Sequence, residues 1–147
     1  MISIFAMATA AAAIPAPEKA AIFLAAGATR RGAGWVMCRE DARASATIET
    51  YRDINGDGRP DAVVTEGSTY CNGASENGFV VLSKQADGKW KQMTGMSGIP
   101  EFLKTKGVGG WPDLLVGGPG FCFPVLRWNG RDYINQRLEY EGKPCRR

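Results

Sequence analysis

The sequence predicts a mainly β fold with one short N-terminal helix, an α+β domain whose compact antiparallel sheet is built from two β repeats. Three observations predict it. Short apolar runs are punctuated by Gly, Asn and Asp clusters, with 19 glycines in 147 residues, as closely spaced strands and turns require. Asp87 and Gly88 separate two strand-like runs, and Asp-Gly suits the positive φ angles of a tight hairpin turn. The second half also echoes the first: GRPDAVVTEG, from Gly58 to Gly67, is answered by GWPDLLVGG, from Gly110 to Gly118.

Taken in order, Met1 to Pro17 carries no charged side chain, and ISIFAMATAAAA reads as the apolar region of a secretory signal with cleavage near Ala13, or, since no basic residues precede it, as a disordered leader over residues 1–13. A single domain over residues 17–147 follows. Pro17 suits a first helical position, Glu18 the positive end of the helix dipole and Gly27 a stop, so PEKAAIFLAAG predicts a helix whose apolar face includes Ile22, Phe23 and Ala26. Strands are expected at WVMC, ATIETYRDI and DAVVTEG, then at GFVVLSKQ and KWKQM around the Asp-Gly turn. Ile99 to Lys104 reads as a short helical turn. FVVLSKQADGKW matches FPVLRWNGRDY in strand, turn and aromatic close, and Cys71 follows Gly67 as Cys122 follows Gly118. These matches define a duplicated unit over about 47–93 and 108–138, the first copy carrying the insertion STYCNGASEN. The aromatic side chains are expected mainly in the core.

Composition excludes several classes of chemistry. Histidine is absent, which removes imidazole bases, Ser-His and Cys-His nucleophile pairs and His-containing zinc sites. A net charge of +3 with scattered Lys and Arg gives little footprint for nucleic acid. The leader is too short and alanine-rich for stable membrane insertion. Four well-separated cysteines, Cys38, Cys71, Cys122 and Cys145, lack the close pairs of zinc ribbons and point to disulfides in a periplasmic or secreted protein. Three pairings are possible; neighbour pairing, Cys38 with Cys71 and Cys122 with Cys145, is preferred.

The motif with the most specific chemistry is DINGDGRPD, from Asp53 to Asp61. Asp53, Asn55, Asp57 and Asp61 place side-chain oxygens at loop positions one, three, five and nine, Gly58 falls at six, and the Arg59 carbonyl at seven can complete the wrap. Alternate oxygens in a tight loop suit calcium, a hard cation that takes six to eight of them. The same Asn-Gly and Asp-Gly pairs also serve a metal-free turn, but a turn alone does not demand three acids whose charges repel. The loop departs from an EF-hand, with Val64 where a bidentate Glu is needed and strands instead of helices at its flanks.

The pattern D-x-N-x-D-G-x-x-D running into an apolar strand resembles the calcium loops of FG-GAP and VCBS-type repeats, the blade units of integrin-like propellers. The resemblance covers Tyr51 to Gly67 well and implies one calcium site closed by Asp61. In the second copy, Val108, Gly109 and Gly110 replace the upstream acids and only Asp113 remains, so that loop is degenerate. Two repeats fall short of the four blades of the smallest propeller, so the chain must stand alone or assemble with others.

The expected function is that of an exported, non-enzymatic calcium-binding module that binds a macromolecule or glycan, with Ser68 to Gly73 and Gly117 to Gly120 as candidate contact loops. An inhibitor or immunity-type protein of the periplasm is a specific form of it. The competing expectation is a hydrolase working through two carboxylates, Glu66 and Asp113, which would have to face an open cleft.

Overall fold

The structure, a computed structural model, describes residues 13–147; the expected leader falls outside the described residues except for Ala13. Helix α1 (Ala16–Ala25) starts after Pro15, holds Pro17 and Glu18 in its first turn, and gives way to Gly27 at φ 83°. A two-stranded ribbon follows, β1 (Thr29–Arg31) against β2 (Gly34–Val36). The expected WVMC strand is therefore the second arm of a hairpin whose first arm, only three residues long, carries no alternation that a sequence pattern would register.

Two antiparallel meanders make up the rest. The first runs β3 (Ala46–Arg52), β4 (Asp61–Gly67), β5 (Asn77–Lys84) and β6 (Trp90–Ser97), neighbouring in that order. The second runs β7 (Ile99–Lys106), β8 (Pro112–Gly117), β9 (Phe123–Trp128) and β10 (Tyr133–Tyr140), closed by the two residues of β11 (Lys143–Pro144). The first repeat thus becomes a four-stranded sheet, and the second supplies β8, β9 and β10 of a separate five-stranded sheet that β7 and β11 complete at its edges. The insertion after β4 forms a short helix, α2 (Thr69–Asn72), followed by a single 3-10 turn.

Ile99 to Lys104 is extended, contrary to the expected helical turn. Ile99 pairs with Gly117 and Phe102 with Leu114, so β7 satisfies its backbone on β8 and turns Phe102 into the core. A non-local partner decides the conformation of this segment, and six residues of local sequence do not contain that partner. Gly98 alone joins β6 to β7. It adopts φ 133°, and a Cβ there would lie 2.9 Å from the Gly117 carbonyl, so the crossover between the sheets requires glycine.

The layers stack in one direction. One face of the first sheet, with Ala62, Val64, Val80 and Leu82, packs under Ile22, Phe23 and Ala26 of α1. Its opposite face, with Val63, Phe79 and Val81, packs against Leu114, Val116, Leu126 and Trp128 of the second sheet. Alternation along the strands explains the division, since successive side chains point to opposite faces. Disulfides join Cys38 to Cys71 and Cys122 to Cys145, the preferred pairing. They close loops of 33 and 23 residues in sequence separation; loops of that length restrict the unfolded chain by about 3–4 kcal/mol each. Two disulfides fit an oxidising compartment. Among the described residues no helix is long and apolar enough to cross a membrane.

Candidate metal centre

The loop 53–60 connects β3 to β4, whose register pairs Arg52 with Asp61 at its mouth. Asp53 organises it from inside: Oδ1 accepts from the Gly56 and Asp57 amides at 2.8 and 3.2 Å, and Oδ2 accepts from the Gly58 amide at 2.8 Å. These donors, the Gly58 amide foremost, hold its carboxyl below the usual range. Asn55 Oδ1 accepts from the Asp57 amide at 3.3 Å. Asp57 Oδ1 accepts from the Arg59 amide at 2.8 Å, while its Oδ2 pairs with the Arg59 guanidinium at 3.0 Å. Arg59 in turn donates through Nε to the Lys84 carbonyl at 3.0 Å, tying the loop to the end of β5. The second repeat backs the loop: Gly110, at φ 77°, leaves room for the Asn55 carbonyl, which a Cβ would meet at 2.5 Å.

Asp61 opens β4 with no solvent exposure. Its Oδ2 accepts from the Ile54 amide at 2.8 Å, whereas Oδ1 is buried without a partner among the described residues. The Ser83 hydroxyl, across β4 and β5, and the Asn55 amide both lie close enough to favour the charged form, though neither meets Oδ1 in hydrogen-bond geometry. Burial dominates and pushes the Asp61 carboxyl above its ordinary value, with the Asp57 charge adding to the rise.

Asp113 holds the corresponding place in β8, after Pro112 as Asp61 follows Pro60, and is equally buried. Its surroundings are the reverse. Arg127 grips both carboxylate oxygens at 2.9 Å, Arg137 reaches Oδ2 at 2.9 Å, and Thr105 donates to Oδ2 at 2.5 Å. Although burial alone would raise it, the Arg127, Thr105 and Arg137 donors hold the Asp113 carboxyl far below the carboxylate range. Tyr133, buried beside it and donating to the Pro112 carbonyl at 2.8 Å, is pushed well above its usual value by burial and the nearby acid. Two repeats therefore bury the same carboxylate. One copy supplies two guanidiniums, and the other leaves an oxygen unmatched. The arginines come from β9 and β10, far from Asp113 in sequence, and no local motif announces them.

The residues from Asp53 to Asp61 have the donor chemistry that a hard cation takes. All the donors at Asp53, Asn55, Asp57, the Arg59 carbonyl and Asp61 are oxygens, and one of them is buried and unsatisfied. The three carboxylates are not drawn together: among the described residues the only grouping of three acids or thiols with ligand atoms within 4.8 Å of one another is Cys38, Glu40 and Cys71. That grouping is not a metal site, because the two sulfurs are bonded to each other. For Asp57 to turn toward a cation it must leave Arg59, a pair with 42% and 23% exposed side chains; such partly exposed pairs contribute less than about 1 kcal/mol.

Glu66, the other candidate acid, is also consumed by the fold. Its two oxygens accept from the Met37 and Cys38 amides at 2.7 and 2.6 Å, fixing the end of the ribbon to β4. Both oxygens of Glu66 and both of Asp113 are thus engaged by donors within the fold. Of the candidate contact loops, Ser68 caps α2 and accepts from the Cys71 amide, so that segment is held as a disulfide anchor.

Fold and loop together define a disulfide-bonded β domain of two stacked meanders with an acidic loop at the head of the first. Compared with protein-family models, with curated proteins and with solved structures, the chain matches none.

Proposed function

We propose that this chain is an exported, non-enzymatic binding module in which one calcium ion and two disulfides stiffen a pair of blade-like β units, of the kind the FG-GAP and VCBS resemblance implies. The observation that carries the reading is the contrast between Asp61 and Asp113. A buried carboxylate with an unmatched oxygen is costly, and the second repeat offsets that cost with Arg127 and Arg137. A cation at the first repeat would perform the same service. Asp53, Asn55, Asp57, the Arg59 carbonyl and Asp61 would hold it. The ion would supply positive charge and a cross-link between the loop and the head of β4.

Rigidity of this kind suits a protein whose work is recognition through a fixed surface. The absence of histidine and the internal commitment of Glu66 and Asp113 favour binding over hydrolysis. The experiment is thermal unfolding of the chelator-stripped protein with and without calcium. Calcium raises the midpoint, and Asp57→Ala removes the rise. An unchanged midpoint in the wild-type protein would overturn the calcium reading.

A further inference from the structure

The stacking leaves one layer unfinished. The face of the first sheet that carries Val63, Phe79 and Val81 is covered by the second sheet. Because Asp61 and Asp113 occupy matching places, Val63 corresponds to Leu115, and the matching face of the second sheet carries Leu115. No layer of the described chain covers it. Instead, Ile99, Leu103, Leu115, Phe123 and Tyr140 line a groove of about 470 Å³. Ile99 is 56% exposed and the neighbouring Phe121 62%. Phe121 and Phe123 pack around the Tyr140 ring, with centroids 6.2 and 6.0 Å away.

Charge selects among possible occupants. Glu101, Glu139 and Glu141 border the groove. Glu139 is neutralised by Arg137 at 2.6 Å, while Glu101 and Glu141 have no ion-pair partner among the described residues. A second copy docking face to face would set these acids against their own counterparts, which opposes self-association. An apolar strip edged by Lys or Arg would satisfy both the groove and its rim.

We infer that the outer face of the second sheet, centred on Leu103, Leu115 and Phe123, is the docking surface for a partner protein that presents an apolar strip edged by basic residues. This deepens and rests on the reading as a binding module, though not on its calcium.

The test uses two synthetic peptides, one alternating Leu with Lys and one alternating Leu with Glu, titrated into isotope-labelled protein and followed by amide chemical shifts. The Leu/Lys peptide moves resonances of β7, β8 and β9 around Leu103, Leu115 and Phe123, equally in calcium and in chelator. Glu101→Gln with Glu141→Gln weakens it about fivefold, the size expected for two rim charges, and Ile99→Asp, at an exposed position, abolishes it. Shifts confined to another surface would overturn the inference while leaving the binding module standing. It is likewise overturned by equal binding of the Leu/Glu peptide, by no binding of either, by a cello-oligosaccharide shifting the same residues in the peptide's place, or by a dimer in light scattering that Ile99→Asp dissolves. Loss of calcium binding with the peptide response intact would remove the metal and keep the surface.

Discussion

Of the two matched aspartates, replacement by asparagine in chelator should destabilise the protein at Asp113 and not at Asp61. Asp113→Asn removes the charge that Arg127 and Arg137 share. Breaking a fully buried ion pair costs about 3–5 kcal/mol, but these guanidiniums are 35% and 31% exposed and recover part of their hydration. A loss of about 2–3 kcal/mol follows, or a fall in Tm of roughly 5–10 °C for a domain of this size. Asp61→Asn instead removes a charge from an oxygen that has no partner. The amide can still accept from Ile54 through its oxygen, so without metal the variant should be neutral or more stable by up to about 1 kcal/mol. Urea unfolding at pH 7 in chelator measures both. Equal destabilisation by the two substitutions would mean instead that Asp61 is already compensated within the protein, and the contrast between the two sites would fall.

Acid behaviour should separate the same pair. Asp113, held below its ordinary 3.8, contributes stability that is present above that value and lost on acidification below it; Asp61, raised by burial, lets the chelated protein gain stability as pH falls through its elevated value toward 3.8. Calcium should erase the second effect, and unfolding at a series of pH values with and without the ion measures it. Glu66→Gln should cost about 1–3 kcal/mol, since an amide nitrogen then faces one of the two amides it serves, and denaturant midpoints read the loss. Gly110→Ala should destabilise the protein and weaken calcium binding together, because its Cβ would press on the Asn55 carbonyl at a φ that favours glycine; parallel melting curves and calcium titrations test the coupling. Paired Cys122→Ser and Cys145→Ser substitutions should cost about 3 kcal/mol by freeing a 23-residue loop, measured by urea unfolding under oxidising conditions.

The sequence shows the architecture where the signals are local. Pro17 and Gly27 bracket α1, Asp87 and Gly88 turn β5 into β6, and the Pro-Asp echo marks β4 and β8 as equivalent. Local signals fail where a distant partner decides. β7 is extended because β8 pairs with it, and the three-residue arms of the first ribbon are too short to show a period. The site divides in the same way. The oxygen spacing from Asp53 to Asp61 is written in nine consecutive residues. The neutralisation of Asp113 depends on Arg127 and Arg137, brought beside it by strand pairing, and Glu66 reads as a free acid until the fold sets two amides from the ribbon against it.

Calorimetric titration of calcium into chelator-stripped protein decides whether the loop from Asp53 to Asp61 holds a metal ion. One ion should bind per chain, be retained by Asp113→Asn and be lost in Asp53→Ala and in Asp61→Asn. No binding, or binding that survives both loop substitutions, would contradict it.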